Sequence, residues 1–278
     1  MPPIKILITG ANGFLGRNLC EKFERLGYEV FRWTRKHRVA EISSFNPDYV
    51  IHAAAELYNE SLMFMSNVVL TEAVLFQLQW CKSLKKFIYI GSSSEYGRKS
   101  VPSKETDVLV PTTLYEATKG CGTLLSLAHG CKHEIPVSVV RPYSIYGQYE
   151  AEKRFIPTIF RYHAAGQKLT VYEGSHDFLH VDDFCEGVKL VLFKDSSGND
   201  IVNLGGGQCI SNQYLVDTFK MCIGDVKSAS SPDKLREFDT NFWCADIEYA
   251  KREYNWEPTV SLTRGLKMYH QWRLKTTN

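Results

Sequence analysis

The feature that most constrains the fold is a glycine run near the start of the chain, GANGFLG at residues 10–16. It follows an apolar stretch, residues 4–8, and opens a segment with helical periodicity over residues 17–26. Glycine permits a tight turn and lets the main chain approach a phosphate, while the helix start offers free N–H groups. The run therefore predicts a dinucleotide site, although a plain strand-to-helix turn would also explain an isolated glycine pattern. The predicted contacts are Gly10, Asn12, Gly13, Phe14, Leu15 and Gly16.

Composition is that of an ordinary globular protein. The 278 residues are 44% hydrophobic and 23% charged, with a formal net charge of +2. That charge gives no field attracting nucleic acid or an anionic membrane. No stretch is expected to reach the apolar length of a membrane span, and Met1-Pro2-Pro3 leaves no room for a secretory signal. We therefore expect a cytoplasmic protein that binds neither nucleic acid nor membrane.

The cysteines and histidines give no sign of a metal site. There are eight of each, and neither set has metal-ligand spacing; the cysteines form no C-x-x-C pair. In a cytoplasmic protein of this size, the simplest expectation is that the cysteines are buried thiols.

Strand-like and helix-like segments alternate along the chain. Further strands are predicted at residues 28–33, 49–55, 87–90, 137–141 and 201–204, and helices at 66–80, 115–129, 181–193, 211–222 and 262–274. This alternation predicts an α/β fold, a Rossmann-type doubly wound parallel sheet with helices on both faces. The interval 38–47 is too short for a further strand and helix, so one edge of the sheet should be abbreviated.

A smaller substrate-binding lobe is expected toward the C-terminus. After Pro142 the chain reads as looser, aromatic and charged, and no linker rich in Pro, Gly or Ser separates two tandem domains. We therefore predict interleaved lobes. The Rossmann domain would comprise residues 1–147 and 178–204, and the substrate lobe residues 148–177 and 205–278.

The end of the second strand bears on cofactor choice. An acid there would accept from the adenosine ribose, whereas basic side chains accommodate a 2′-phosphate. Residues 30–40 contain no acid but include Arg32 and Arg35, so NADP is favoured and NAD remains possible. Solvated loop charges are the simpler alternative. Three small residues that follow the third strand, Ala53, Ala54 and Ala55, would let the backbone pass against the cofactor.

The chemistry is indicated by a serine run and a Tyr-x-x-x-Lys pair. Tyr115 and Lys119 are four residues apart on a predicted helix, so they share a face. A nearby ammonium lowers a tyrosine pKa from about 10 toward the working range. A serine at the end of the preceding strand, within residues 92–94, can hydrogen-bond the same substrate oxygen. Together these groups would move a proton while the cofactor moves a hydride.

This ordered series resembles a known family, the extended short-chain dehydrogenase/reductases of the nucleotide-sugar (NAD-dependent) epimerase/dehydratase branch. The resemblance covers nearly the whole chain. Its segments are residues 9–16, 47–54, 67–68, 91–97, 111–119, 141–147, 177–183 and 254–258.

The resemblance implies roles for individual residues. Tyr115 would be the acid/base, and Lys119 would also bind the nicotinamide ribose. In the family, the catalytic hydroxyl lies four residues before the tyrosine of a Tyr-Gly pair. Here that tyrosine is Tyr96, so the resemblance assigns the hydroxyl to Ser92, with Ser93 as the alternative. Asn67 would position the proton network of the lysine through water, unless it is a helix cap or a core amide. Tyr143 is also expected to contact the cofactor or line the sugar pocket.

Departures from the family pattern bear on the reaction. Sugar 4,6-dehydratases have a glutamate at the position that Ser94 occupies here. The glutamate of this chain, Glu95, lies one residue later, and in an extended segment its side chain would point to the other face. Bifunctional 3,5-epimerase/4-reductases of the GDP-fucose synthase kind have a cysteine at Ser94. What remains is hydride transfer at one sugar carbon, expected to be C4. The basic end of the second strand favours a 4-keto-sugar reductase over a 4-epimerase, and the serine run most resembles those of GDP-4-keto-6-deoxymannose reductases.

The implied substrate is a nucleotide-diphosphate sugar. Family members often bind the diphosphate with an arginine at the position that His176 occupies here. Histidine binds a diphosphate more weakly and only at a pH where it is charged. The alternative residues for this contact are Arg154, Arg161 and Lys168. Ser144 replaces an asparagine common in the family. The expected substrate contacts are Ser93, Ser94, Thr113, Ser144, Arg154 and His176.

Relatives pair through helices corresponding to residues 66–80 and 115–129, which implies a homodimer held by a four-helix bundle. The same apolar faces are equally compatible with packing on the sheet.

Two other functional classes stay open for this protein: a non-catalytic NADP-binding regulator or scaffold, and a reductase of a non-nucleotide carbonyl. The sequence names neither the base nor the sugar.

Overall fold

A six-stranded sheet organises the computed structural model, which describes residues 3–195, 199–233 and 242–276. Its strand order is β10-β5-β4-β3-β1-β2, and successive pairs from β5 to β2 are parallel. The strands are β1 Lys5–Thr9, β2 Glu29–Trp33, β3 Tyr49–His52, β4 Lys86–Ile90, β5 Val137–Pro142, β6 Ser144–Tyr146, β7 Leu169–Tyr172, β8 Ser175–His176, β9 Phe178–His180, β10 Asp200–Leu204, β11 Ile210–Ser211 and β12 Ser228–Ser231.

Ten α-helices accompany these strands in the described part of the chain. They are α1 Phe14–Arg25, α2 Glu41–Phe45, α3 Glu60–Phe64, α4 Leu70–Leu78, α5 Leu114–His133, α6 Phe155–Ala165, α7 Val181–Phe193, α8 Asn212–Cys222, α9 Glu248–Tyr254 and α10 Leu262–Thr276. A π-helical turn, Met65–Val69, joins α3 to α4, and a 3₁₀ turn spans Ser93–Tyr96. The predicted doubly wound α/β fold is confirmed.

The chain divides into two compact units. The first comprises Met1–Gly97, Glu105–Pro142 and Cys185–Asn203; the second comprises Arg98–Lys104, Tyr143–Phe184 and Leu204–Asn278. By this division, residues 143–147 and 178–184 fall in the second unit, although the sequence analysis assigned them to the Rossmann domain.

Each unit has its own apolar core. In the first, β4 is buried along its whole length, which is typical of a parallel strand covered on both faces. Side chains from α4, such as Val74 and Leu78, pack on this sheet core. In the second unit, Phe160 of α6 and Phe219 of α8 meet edge to face at 4.8 Å between ring centroids.

Two stretches differ from the sequence prediction. The helix predicted at 66–80 starts earlier, because Asn59 caps α3 by accepting from the amide of Ser61. The region 143–177 is not loose: it contains α6 and three short strands. Pro157 sits in the first turn of α6, where a missing N–H is tolerated, so it does not break the helix.

Two expectations from composition need correction. The segment Glu60–Leu78 has the length and composition of a membrane span, with a mean hydropathy of 1.5, although those criteria alone are weak support. Only four of the eight free cysteines are buried: Cys121 and Cys131 are exposed, and Cys209 and Cys222 are intermediate. Among the described residues, no group of three or more His, Cys, Asp or Glu could hold a metal ion.

Candidate active site

The glycine turn after β1 is closed by backbone contacts that only glycine permits. Gly10 has a φ of 68°, and a Cβ there would lie 2.7 Å from the amide nitrogen of Ala54. A Cβ on Gly16 would overlap the carbonyl oxygen of Gly10. The amide of Gly13 donates to that same carbonyl at 2.8 Å. The turn, the end of β3 and the start of α1 are therefore packed main chain against main chain.

The start of α1 fits a diphosphate. Its N-cap, Gly13, contributes no side chain, and the first turn contains no acidic residue. A Cβ on Gly13 would meet only the Gly10 carbonyl, at 3.1 Å, so the rest of the space at this position is open. The first N–H groups of a helix and its dipole favour an anion here. Nearby, Asn12 is exposed while Phe14 and Leu15 are half-buried.

The small residues after β3 are held by a buried histidine. His52 Nδ1 lies 2.7 Å from Thr9 Oγ1 on β1, and Nε2 lies 3.0 Å from Thr71 Oγ1 on α4. Thr9 Oγ1 also accepts from the amide of Ala54 at 3.2 Å. Burial lowers the pKa of His52 to about 3, so the ring is neutral at physiological pH. His52 thus fixes the segment of Ala53, Ala54 and Ala55 beside the glycine turn, a role that the sequence analysis missed.

The two arginines predicted to select NADP are both in ion pairs. Arg32 meets both carboxylate oxygens of Glu24 on α1, at 2.7 Å from Nε and 2.6 Å from Nη2. Arg35 lies 3.3 Å from Glu56 in the loop after β3. The other oxygen of Glu56 accepts the amides of residues 57–59, and these hydrogen bonds lower its pKa. Both arginines therefore have a carboxylate partner in this structure.

The serine run forms a capped 3₁₀ turn and not an extended segment. Ser92 is its N-cap: its hydroxyl accepts from the amide of Ser94 at 3.2 Å and lies 2.6 Å from the Ser94 hydroxyl. Ser92 and Ser93 are both buried. The Ser92 hydroxyl is thus held in place by the turn that follows β4.

Glu95 completes the capping box and is buried in the first unit. One carboxylate oxygen accepts the Ser92 amide at 2.7 Å; the other accepts from Thr123 Oγ1 at 2.7 Å and Arg141 Nε at 3.0 Å. The sequence analysis treated Glu95 only as a displaced dehydratase acid. The S-x-x-E spacing from Ser92 to Glu95 was the signal that could have identified this role.

The Tyr-x-x-x-Lys pair lies in the first two turns of α5. Lys119 is buried; its Nζ donates to the carbonyl of Ile90 at 2.6 Å and lies 4.3 Å from the centroid of the Tyr89 ring. Burial lowers the pKa of Lys119 to about 8, and the charge of Glu95 opposes that shift. Tyr115 is half-buried one turn earlier. An ammonium at this depth is weakly screened, which suits it to stabilise a phenolate nearby.

Asn67 makes structural contacts. In the π-helical turn its Oδ1 accepts the amide of Glu56 at 2.7 Å, and its Nδ2 donates to Thr118 Oγ1 at 3.0 Å. Nδ2 also donates to the carbonyl of Glu56 at 3.0 Å. Asn67 thus joins the loop after β3 to Thr118 on α5, the residue that precedes Lys119.

Among the predicted substrate contacts, one lies at the start of α5 and three lie in the second unit. Thr113 is the N-cap of α5 and pairs with Glu116 in a capping box. Ser144 lies on β6, and His176 lies on β8 with its ring 5.8 Å from that of Phe178. Tyr143, the predicted cofactor contact, also belongs to the second unit and is buried.

Two further residues of the second unit have clear packing roles. Tyr146 is buried, with its ring 5.3 Å from that of His180, so it is a packed aromatic. Arg154 is held by Glu150, with 2.8 Å between Nε and Oε1. Burial raises the pKa of Glu150 to about 7, and its other oxygen has no hydrogen-bond partner among the described residues.

Replacing Glu150 with glutamine should alter how stability depends on pH. Because the folded-state pKa is raised above 4.5 to about 7, the contribution of Glu150 is full below pH 4.5 and is lost as the pH rises through 7. The free energy of unfolding therefore falls by about 3 kcal/mol as Glu150 loses its proton. Urea unfolding at pH 5 and pH 8 should show Glu150→Gln gaining stability relative to wild type by roughly that amount at the higher pH. A pH-independent difference would contradict this assignment.

Comparison with known proteins identifies the family of this chain. A family model described as the NAD dependent epimerase/dehydratase family matches residues 6–205, well over half of the chain. The chain belongs to this epimerase/dehydratase family. It is therefore a nucleotide-sugar enzyme of the short-chain dehydrogenase/reductase type, as the sequence motifs implied.

Individual members of the epimerase/dehydratase family match over most of their length. An uncharacterized UDP-glucose epimerase of Bacillus subtilis is 26% identical over 95% of this chain and 96% of its own. A UDP-glucuronate 4-epimerase of Thermodesulfobacterium geofontis is 31% identical over 80% and 71%. The solved UDP-glucuronic acid 4-epimerase from Bacillus cereus, in complex with UDP-glucuronic acid and NAD, has a TM-score of 0.88 at 22% identity, covering 98% of this chain and 100% of its own. This last likeness bears on the fold.

Proposed function

We propose that this chain is a nucleotide-sugar 4-epimerase using NAD. The observation that carries the proposal is the pairing of Arg32 with Glu24 and of Arg35 with Glu56. The sequence-based preference for an NADPH-dependent reductase depended in part on these cations being available to a 2′-phosphate, and in part on the resemblance of the serine run. With both paired, that preference weakens. The relatives named as UDP-glucose and UDP-glucuronate epimerases, and a solved one in complex with NAD, support the epimerase.

The proton chemistry is assigned to Tyr115. Its phenolate takes the proton of the C4 hydroxyl and returns it after the sugar has presented its other face. NAD, when bound, supplies a hydride acceptor that gives the hydride back, so the reaction has no net oxidation. Lys119 stabilises the phenolate by its charge, and the Ser92 hydroxyl donates to the C4 oxygen. The N-terminus of α1 and the glycine turn would hold the diphosphate of the cofactor.

A product assay tests the proposal. Purified protein with NAD and UDP-glucose, or with UDP-glucuronate, should give the C4 epimer by proton NMR, with no change in absorbance at 340 nm once equilibrium is reached. Guanosine and thymidine diphosphate sugars tested in the same way, with thermal protection alongside, identify the base. Failure to interconvert any C4 epimer across this panel would contradict the epimerase.

A 4-keto-sugar reductase is the second candidate. The end of β2 lacks the acid that would accept from an adenosine ribose, and the Arg38 side chain nearby is 90% exposed. A reductase would consume NADPH in proportion to a nucleotide-linked 4-keto-sugar and would leave C4 alcohols unchanged. The same assay therefore separates the two functions.

We also propose that the protein is a homodimer through a four-helix bundle. Only 33% of the apolar segment Glu60–Leu78 is buried, and apolar side chains along it are exposed, as is Leu124 on α5. A second copy would cover them. The exposed side chains of that segment are Leu62, Phe64, Met65, Val69 and Phe76.

Leu124→Glu should convert the dimer to a monomer in sedimentation velocity, because the glutamate would be buried without a partner in the bundle. The matched control is Met221→Glu on α8, a more exposed apolar side chain in the second unit. The control should leave the mass unchanged. A wild-type monomer at micromolar concentration would contradict the dimer.

A further inference from the structure

We infer that Glu95 is a positioning residue for the reaction: its carboxylate fixes the serine turn and joins it to the helix face that carries Lys119. The inference rests on the proposed function of Ser92, Tyr115 and Lys119.

The first support is the geometry of the carboxylate. Glu95 is fully buried, and its two oxygens accept from three donors: the Ser92 amide, the Thr123 hydroxyl and Arg141 Nε. All three distances lie between 2.7 and 3.0 Å. Glu95 therefore holds the backbone of the residue proposed to contact the substrate oxygen, and any displacement of the carboxylate would displace Ser92.

The second support is the link from Glu95 to α5. Thr123 follows Lys119 by one helical turn, so the two side chains lie on the same side of the helix. A Cβ on Gly91 would lie only 2.6 Å from a Glu95 carboxylate oxygen, so the strand end approaches the carboxylate closely. One buried carboxylate thus joins the serine turn to the helix face that carries Lys119.

The third support is the set of charges around Lys119. The titratable groups near it are His52 on β3, Tyr89 on β4, Glu95 in the 3₁₀ turn and Tyr115 on its own helix. Burial holds His52 neutral and raises the pKa of Tyr89 well above its ordinary value. Glu95 is therefore the neighbour whose charge acts on Lys119 at neutral pH, and the Arg141 guanidinium pairs with Glu95 itself.

This arrangement gives a signed expectation. The charge of Glu95 raises the pKa of Lys119, opposing the effect of burial. Removing that charge should therefore let Lys119 lose its proton at lower pH. Moving the charge without removing it should leave the pKa of Lys119 near its original value.

The test compares Glu95→Gln with Glu95→Asp. Glutamine removes the charge and keeps one acceptor for the Ser92 amide, whereas aspartate keeps the charge and withdraws it from Ser92. We expect the alkaline limb of kcat/KM, and of NADH affinity measured by fluorescence, to move down by about one pH unit in Glu95→Gln. In Glu95→Asp that limb should stay within about 0.3 pH unit of wild type while kcat falls at least tenfold. An unmoved limb in folded Glu95→Gln, or an unchanged kcat in Glu95→Asp, would overturn the inference.

One further variant completes the design. Lys119→Met tests the proposed function itself: if the alkaline limb of NADH affinity persists without the lysine, the assignment of Lys119 is wrong, independently of Glu95. If Glu95→Gln does not fold by circular dichroism, Glu95→Asp alone decides the positioning role, and an unchanged kcat there would refute it.

Discussion

Tyr115→Phe is expected to lower kcat by about 10²- to 10⁴-fold, the usual contribution of a general acid/base. The substitution removes one hydroxyl from a half-buried side chain, so the fold and NADH affinity should be unchanged. Steady-state turnover of the C4 epimer, with NADH binding measured by fluorescence on the same sample, separates the two effects. A loss of kcat without a loss of affinity would assign Tyr115 to the chemistry.

The matched control is Tyr214→Phe. Tyr214 lies in the first turn of α8 and is 58% exposed. Removing its hydroxyl should leave both turnover and binding at wild-type values. If Tyr115→Phe turned over as fast as this control, the mechanism proposed here would be wrong.

Gly16→Ala is expected to destabilise the protein by about 2–3 kcal/mol and to abolish NADH binding. Alanine normally favours a helix over glycine by about 1 kcal/mol, so propensity alone predicts the opposite sign. At Gly16 the added methyl would overlap the Gly10 carbonyl, which belongs to the turn predicted to hold the diphosphate. The turn would have to move, and both stability and binding would fall.

Gly120→Ala is the control for this second prediction. Gly120 is also helical, and a Cβ there would meet nothing nearer than Leu109 Cδ1 at 3.6 Å, an ordinary contact. Urea unfolding should show Gly120→Ala equal to or more stable than wild type, by up to about 1 kcal/mol. Similar losses in the two variants would mean that the close approach at Gly16 is not what requires glycine.

The main elements of the fold were predictable from local pattern. The helix α7 has its predicted bounds, and α8 begins at the residue after its predicted start because Ser211 is the N-cap. The predicted parallel sheet is confirmed, since strands buried on both faces are continuous apolar runs. Periodicity and capping depend on residues that are close in sequence, so one amino-acid sequence is sufficient to predict them.

Local pattern does not reveal which charged side chains pair with one another. Arg32 was assigned to the cofactor because it lies near the end of β2, and the structure pairs it with Glu24, eight residues earlier on α1. The Glu95–Arg141 pair joins residues 46 apart. No local pattern distinguishes a buried, paired charge from a solvated one, because burial depends on which elements pack together.

The sequence by itself determined the strand–turn–helix that only glycine can close, the order of strands and helices, and the spacing that puts Tyr115 and Lys119 on one helix face. These follow from backbone sterics and from helical and strand periodicity, which act over a few residues. The tertiary structure alone decided which charges are free. It paired both arginines at the end of β2, and it buried Glu95 between the serine turn and α5. Electrostatic contacts act between elements that chain topology brings together, and this is why local sequence pattern does not reveal them.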